Sequence, residues 1–238
     1  MAVVGPTDRP FVGRVTEREL LAGHIAAAQG GSGRVVVVRG EPGVGKTRLV
    51  EEAVVGVAPG RVLWGRCQEM EGAPAYWPWI QALRAYVAAT PPERLCAELG
   101  DDGPLVARLV PSICARCPDI VATTDETLDP EAARFRLFDA VTMFLRTIAR
   151  TELLVIVLDD LHWADNESLL LLTFVARELR EQRLLVLGTY RETELRQAAA
   201  AARVLGDLAR SSHRLTLSGL TADDVGQYVL ATCGRAPA

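Results

Sequence analysis

The 238-residue sequence lacks the features of membrane-spanning and secreted proteins. No apolar run approaches the length of a membrane span, and the N-terminal stretch MAVVGPTDRPFVG has neither a charged n-region nor a long apolar segment. The five cysteines are odd in number and irregularly spaced, which favours reduced thiols in a cytoplasm. We therefore expect a soluble, cytoplasmic protein that does not bind membranes.

A basic excess is also missing. The chain has 26 Lys and Arg residues against 30 Asp and Glu residues, which gives a formal net charge of −4. A free-standing nucleic-acid-binding protein usually carries a basic excess, so we expect no direct contact with nucleic acid. The hydrophobic share of 49% and the charged share of 24% are ordinary for a globular protein, and the length suits one α/β domain or two small ones.

Strand-like and helix-like segments alternate along the chain. Short β-branched runs such as RVVVVRG (34–40) suit strands that are buried on both faces. The alternation predicts a three-layer α/β fold, in which a mostly parallel five-stranded sheet has helices on both faces. We expect strands at 34–40, 61–67, 153–159, 184–190 and 214–219, helices at 47–58, 77–89, 130–150, near 167–181, near 194–210 and 221–234, and short helices joined by loops over 91–129.

The stretch GEPGVGKT (40–47) lies between the first of these strands and a helix. It matches G-x-x-x-x-G-K-[ST], the P-loop motif, whose glycines let successive backbone N–H groups point at phosphate oxygens. Lys46 offers a charge to the β- and γ-phosphates, and Thr47 offers a hydroxyl to Mg²⁺. The alternative is a Gly-rich turn without a ligand. The predicted nucleotide-binding residues of this stretch are Glu41, Pro42, Gly43, Val44, Gly45, Lys46, Thr47 and Arg48.

A second stretch, LVIVLDDLHWADNES (154–168), ends an apolar run in adjacent acids. Neighbouring carboxylates raise each other's pKa and cost stability unless a positive charge lies near them. In a P-loop protein an acid at the tip of a neighbouring strand holds Mg²⁺, which assigns Asp159 to the metal and leaves Asp160 to polarise the attacking water. The alternative is a strand that ends in a turn with Asp caps. Asp165 is either a further catalytic acid or the N-cap of the next helix.

Several motifs that would point to other functions are absent. No N-K-x-D-type sequence for reading guanine occurs, which disfavours GTP, and no second cluster of substrate-binding arginines supports a nucleotide kinase. Cys114 and Cys117 form a C-x-x-C pair, but no second pair lies at zinc-site spacing. We expect His162 and Trp163, which follow Asp160, to pack and orient their loop.

Six motifs follow one another in a set order along the chain. They are FVGR (11–14), GEPGVGKT (40–47), AYWPWIQALR (75–84), RFRLF (134–138), LDDLHWAD (158–165) and GTYR (188–191). In this order the chain resembles the signal-transduction ATPases with numerous domains, from about Phe11 to Gly234. Within that group it is similar to the ATPase modules at the N-terminus of large LuxR-type transcriptional regulators and some nucleotide cyclases, which are related to the AAA-type and origin-recognition ATPases.

The resemblance implies further site residues near the N-terminus. Phe11, Val12 and Gly13 match the family's segment that covers the adenine, and Arg14 falls there too. An arginine near bound phosphate is physically suitable. The alternative is an ordinary apolar anchor that packs the N-terminal tail.

The resemblance also assigns roles to the GTYR segment. Arg191 matches the position that senses the γ-phosphate, a role for which a bidentate guanidinium is suited; the alternative is a surface arginine at a strand end. Thr189 would assist by a hydroxyl bond to the attacking water. The family's sheet order places the 184–190 strand between those at 34–39 and 153–159.

The activity implied is that of an ATP-binding, Mg²⁺-dependent ATPase module that acts as a regulatory switch. Its cofactors would be ATP or ADP and Mg²⁺, and protein partners or self-association are expected. Hydrolysis should be slow, because Asp160 is shorter than the glutamate of fast ATPases and only the first lid helix is matched. Residues 1–219 would form the ATPase core, and 220–238 the first helix of a truncated lid. The alternative is a module that binds ATP or ADP without hydrolysing it.

Overall fold

A parallel sheet of five strands forms the centre of the computed structural model. The structure describes residues 10–58, 61–69, 74–123, 129–195, 199–208, 210 and 212–233. The strands are β1 (Arg34–Gly40), β2 (Val62–Arg66), β3 (Leu154–Asp159), β4 (Leu184–Tyr190) and β5 (His213–Leu217). Their order is β2-β3-β4-β1-β5, and every pairing is parallel. The predicted α/β fold is confirmed, including the place of β4 between β1 and β3.

Helices occupy most of the chain between the strands. None of those in the described part is long and apolar enough to cross a membrane. Two short 3₁₀ turns, Gly100–Asp102 and Leu161–Trp163, accompany them. The α-helices are α1 (Val15–Gln29), α2 (Lys46–Ala53), α3 (Trp77–Ala89), α4 (Pro92–Leu99), α5 (Gly103–Leu109), α6 (Ser112–Arg116), α7 (Pro130–Ile148), α8 (Asn166–Arg177), α9 (Glu192–Leu195), α10 (Ala199–Leu208) and α11 (Ala222–Cys233).

Three helical segments differ from the sequence-based expectations. The long α1 before the first strand was not predicted. The helix predicted over 47–58 ends at Ala53. The single helix predicted near 194–210 is described as α9 and α10, on either side of residues 196–198, which lie outside the described part.

Alternate residues of the central strands face two separate hydrophobic cores. In β1, Val35 and Val37 pack with residues of α3, α7 and α8, whereas Val36 and Val38 pack with residues of α1 and α2. Every residue of β3 and β4 is buried, as expected for strands covered on both faces. Because the strands are parallel, their carboxyl ends lie at one edge of the sheet, where open α/β sheets bind ligands.

The cysteines differ from the expectation of reduced thiols. Cys96 of α4 and Cys117, which follows α6, form a disulfide that spans 21 residues of sequence. Cys67 and Cys114 are free, and burial raises the pKa of the Cys67 thiol well above its ordinary value. The expectation was therefore wrong for Cys96 and Cys117. Sequence spacing could not indicate this pair, because the packing of the 92–117 helices brings the two residues together.

Gly65 of β2 leaves room for the start of α3. A Cβ atom at this position would lie 2.0 Å from the backbone carbonyl oxygen of Pro78, so the strand or the helix would have to shift. Gly65→Ala is therefore expected to lower the free energy of unfolding by about 1–3 kcal/mol, as overpacking does. The measurement is urea unfolding followed by circular dichroism.

Gly23→Ala is the matched control for this substitution. Gly23 lies within α1, and outside the helix's own backbone and the two neighbouring residues no atom is within 4 Å of the position of a Cβ there. Alanine is expected to raise the free energy of unfolding by about 0.5–1 kcal/mol, because it costs less backbone entropy in a helix. Equal stability of the wild type and Gly65→Ala would contradict the close packing of β2 against α3.

Candidate nucleotide-binding site

The P-loop joins β1 to α2 at the carboxyl edge of the sheet. Gly43 and Gly45 adopt left-handed backbone conformations with φ of 75° and 97°, which residues with a Cβ rarely adopt. Gly45 is the N-cap of α2, where the first backbone N–H groups have no partner within the helix. Glu41 and Pro42 are exposed beside them. The loop is therefore shaped to present N–H groups to an anion.

Lys46 is buried in the loop, with 6% of its surface exposed. Its Nζ donates to the carbonyl oxygens of Gly40 and Glu41, both at 3.0 Å. Burial, and then the charge of Arg191, lower the pKa of the Lys46 ammonium. The predicted phosphate-binding cation thus lies inside the loop, at the end of the sheet that also carries Arg191.

Asp159 is buried at the end of β3, with 1% of its surface exposed. The Thr47 hydroxyl donates to this carboxylate, 2.9 Å from Oδ1 and 3.2 Å from Oδ2, and the Thr189 hydroxyl donates to Oδ1 at 2.7 Å. Arg66, at the end of β2, places Nε and Nη2 each 3.3 Å from Oδ2. Thr47 and Asp159, which two separate motifs predicted as metal ligands, are in direct contact.

Asp160 follows Asp159 in a left-handed conformation, with φ 60° and ψ 47°. Its backbone N–H donates to the Thr189 hydroxyl at 2.9 Å, so Thr189 links the two acids. Burial, and then the charge of Asp159, raise the pKa of the Asp160 carboxyl. The Thr189 hydroxyl is fully buried and bonds both of these groups, while its expected bond to an attacking water stays a prediction.

Arg191 follows the last residue of β4 and lies beside the acids. Its Nη1 is 2.7 Å from Glu194 Oε1, and its Nε is 4.0 Å from Asp160 Oδ1. About a third of the side chain is exposed. The structure therefore brings Arg191 to the end of the sheet occupied by Lys46 and Asp160, while its role as a γ-phosphate sensor stays a prediction.

The N-terminal segment reaches the P-loop through Arg14. This guanidinium is largely buried: it donates to Glu17 at 3.0 Å, to the Val44 carbonyl of the P-loop at 3.3 Å, and to the Ser218 carbonyl after β5. Gly13 adopts φ 67°, and a Cβ there would lie 2.5 Å from Asp224 Oδ1. These contacts show a segment anchored between the P-loop and the start of α11.

The ring of Phe11 packs against the core formed with α1 and α2. The guanidinium groups of Arg18 and Arg48 lie 5.6 and 5.9 Å from its centroid, and Arg48 also pairs with Glu51 and Glu52. Phe11 thus has the contacts of the apolar anchor, and Val12 beside it is half-buried. Adenine contact by Phe11, Val12 and Gly13 stays a prediction.

The loop after Asp160 is held by two polar residues. Asp165 is the N-cap of α8: it accepts hydrogen bonds from the Ser168 N–H at 2.9 Å and the Ser168 hydroxyl at 2.6 Å, which confirms the cap alternative. The side chain of His162 is fully buried and its Nδ1 accepts from the Arg191 N–H at 3.4 Å. As expected, His162 orients the loop, and the ring of Trp163 lies 5.3 Å from it.

Sequence reasoning missed two charged residues of the site, Arg66 and Glu194. Arg66 ends β2, and β2 pairs with β3 so that Arg66 lies opposite Asp159. The rule that picked out Asp159 and Arg191, a charged residue where a buried strand ends, would also have found Arg66. Glu194 carries no such signal, because its position depends on the turn between β4 and α9.

The residues present fit a Mg²⁺ ion bound together with a polyphosphate. The Thr47 hydroxyl and the Asp159 carboxylate are adjacent hard oxygen donors, the type that Mg²⁺ prefers. Among the described residues, no group of three or more His, Cys, Asp or Glu side chains could hold a metal alone. An ion here would take its other ligands from phosphate and water, as Mg²⁺ commonly does.

The fold and the site together define a P-loop nucleoside triphosphatase. The model of the AAA ATPase domain family matches residues 10–187, and the chain belongs to this family. Among curated proteins no match is found.

Many solved structures are similar to the chain, including the following two. One is a Signal Transduction ATPase with Numerous Domains (STAND) protein from Pyrococcus horikoshii that has a tetratricopeptide repeat sensor. Its TM-score is 0.51 at 16% identity, over 96% of this chain and 27% of that one. The other is the ORC1 protein of Aeropyrum pernix in complex with DNA. Its TM-score is 0.43 at 17% identity, over 95% of this chain and 50% of that one. The chain thus spans about a quarter of the length of the first protein and half of the length of the second.

Thr189→Val tests the link between the two acids. Valine keeps the shape of the buried side chain but removes one donor from Asp159 and one acceptor from the Asp160 N–H. Leaving buried polar groups without partners is expected to lower the free energy of unfolding by about 1–3 kcal/mol. Urea unfolding of the purified protein measures this change.

Thr142→Val is the control. Thr142 of α7 is also buried, but its hydroxyl donates only to the Phe138 carbonyl of the same helix. Valine there is expected to cost less, because that carbonyl is part of the helix ladder. If the two variants lost equal stability, the special role of Thr189 would be refuted.

Proposed function

We propose that the protein binds ATP together with Mg²⁺ at the P-loop, hydrolyses it slowly, and acts as a nucleotide-controlled regulatory switch. The observation that carries the proposal is the contact of 2.9 Å between the Thr47 hydroxyl and the buried Asp159 carboxylate. These groups come from separate motifs, and they meet beside a loop that already holds Lys46. Membership in the AAA ATPase domain family supports the same ligand.

The phosphates would lie against the P-loop. The backbone N–H groups of residues 43–47 would donate to phosphate oxygens, and Lys46 would exchange its bonds to the Gly40 and Glu41 carbonyls for bonds to the β- and γ-phosphates. Thr47 and Asp159 would hold Mg²⁺. When bound, the ion neutralises charge on the phosphate oxygens.

Asp160 is the residue we assign to the attacking water. Its carboxyl lies beside Asp159. The pKa of this carboxyl is raised, which brings the pKa nearer to the value that suits a general base. Arg191, whose Nε is 4.0 Å from Asp160 Oδ1, would bind the γ-phosphate and stabilise its charge. Turnover would be slow, because an aspartate reaches less far than a glutamate from the same strand end.

We further propose that the protein works as one module of a signalling protein, of the kind found in LuxR-type transcriptional regulators. The support is the pair of motifs LDDLHWAD and GTYR, which supply the acids and Arg191. Residues 1–219 would be the ATPase core. Helix α11, whose Asp224 lies against Gly13, would begin the lid and couple nucleotide state to protein partners or self-association.

A module that binds ATP or ADP without hydrolysing it is the second candidate. The observation that favours it is that both groups assigned to hydrolysis already have partners: Arg191 pairs with Glu194, and Asp160 lies within 4.0 Å of Arg191 and 3.9 Å of His162. Measured phosphate release distinguishes the two candidates.

Asp159→Ala and Asp160→Asn should have different effects. Loss of a metal ligand at Asp159 is expected to weaken the Mg²⁺-dependent part of ATP binding about tenfold or more. Asp160→Asn should keep ATP binding but lower phosphate release about a hundredfold, because an amide cannot accept the proton of the attacking water. Calorimetry with and without Mg²⁺ and a phosphate-release assay measure the two effects.

Asp119→Asn, at an exposed position after α6, controls for the loss of one negative charge. It should match the wild type in both assays. Equal loss of ATP binding in Asp159→Ala and Asp160→Asn would refute this division of roles. Wild-type phosphate release no faster than that of Asp160→Asn would favour the non-hydrolysing module.

A further inference from the structure

The two carboxylate oxygens of Glu194 lie close to two different groups. Oε1 lies 2.7 Å from Arg191 Nη1, and Oε2 lies 2.9 Å from His162 Nε2. We propose that Glu194 and His162 form a latch on Arg191, and that a nucleotide must open this latch to place its γ-phosphate on the guanidinium. The inference rests on the proposed role of Arg191 as the γ-phosphate sensor. In this proposal Glu194 is a positioning residue, and it sets the selectivity of the site between ATP and ADP.

The ring of His162 lies against the second carboxylate oxygen of Glu194. Its side chain is fully buried, and Nδ1 accepts the backbone N–H of Arg191 at 3.4 Å. A neutral imidazole that accepts at Nδ1 carries its proton on Nε2. Nε2 lies 2.9 Å from Glu194 Oε2, at ion-pair distance but without the alignment of a hydrogen bond. The buried ring therefore lies against the carboxylate oxygen that Arg191 does not use.

This fixation separates the latch from an ordinary helix-surface pair. Arg191 and Glu194 are three residues apart, and an exposed pair at that spacing contributes little and reorients freely. Here the second carboxylate oxygen is in contact with a buried ring from another loop, and Glu194 itself is only 27% exposed. The buried ring therefore restricts the rotation of the carboxylate, whose other oxygen accepts a hydrogen bond from Arg191 Nη1.

The latch should affect binding of the γ-phosphate and have much less effect on binding of the other two phosphates. An incoming γ-phosphate would need the same guanidinium donors for a bidentate contact and would meet the negative charge of Glu194 beside them. ADP has no group at that position. Removing the charge of Glu194 should therefore favour ATP over ADP, but only while Arg191 is present.

The experiment measures dissociation constants for ATP and for ADP, each with Mg²⁺, by calorimetry. The proteins are the wild type, Glu194→Gln, Arg191→Ala and the double variant. Glu194→Gln is expected to tighten ATP binding about fivefold or more and to leave ADP binding unchanged, a typical size for coupling between sites. In the Arg191→Ala background the same substitution should have no effect on either nucleotide.

Glu192→Gln is the matched control, since it removes the same charge from the same short helix. Glu192 pairs with Arg39 at 3.4 Å instead of with Arg191, and its substitution should leave both dissociation constants unchanged. If Glu194→Gln left ATP binding unchanged or weakened it, or tightened ATP and ADP equally, the latch would be refuted.

The same series separates the latch from the proposal on which it rests. If Arg191→Ala weakens ATP more than ADP while Glu194→Gln has no effect, Arg191 is a sensor without a latch. If Arg191→Ala affects both nucleotides equally or neither, Arg191 is not the sensor, and the latch fails with it.

Discussion

A buried carboxylate, that of Asp159, organises the carboxyl edge of the sheet. It is almost fully removed from solvent. It accepts hydrogen bonds from Thr47 of the P-loop helix, Thr189 of β4 and Arg66 of β2. A buried negative charge is costly unless donors and cations surround it, so these partners and the carboxylate require one another. The resulting network joins the P-loop helix and the ends of three neighbouring strands at the place where a metal-bound triphosphate would lie.

The cations at this edge are bonded to oxygen atoms of the protein itself. Each cation has an oxygen partner: Lys46 has loop carbonyls, Arg66 has Asp159, and Arg191 has Glu194. Nucleotide binding would therefore replace contacts within the protein by contacts with phosphate, and it would add few contacts beyond these. Such exchange suits a switch, because a ligand shifts an equilibrium only by its difference in affinity for two arrangements.

The sheet, the P-loop and the acidic strand end could be predicted from the sequence, because each depends on local spacing of apolar, glycine and charged residues. Helix α1 could not, since only Leu21 and Ala28 of its residues are buried and no clear apolar stripe marks it. The Cys96–Cys117 disulfide and the pairing of Glu194 with His162 depend on contacts between distant segments. The need for glycine at position 188 also depends on such a contact, because a Cβ there would lie 2.5 Å from a side-chain carbon of Leu161.

The most direct measurement is calorimetric titration of the wild type and Lys46→Ala with ATP and Mg²⁺, with the melting temperature of each as a check on folding. Lys46 supplies the cation inside the phosphate-binding loop. The wild type is expected to bind ATP, and the folded variant to show no measurable binding. Unchanged ATP affinity in a folded Lys46→Ala protein would contradict the assignment of this loop as the nucleotide site.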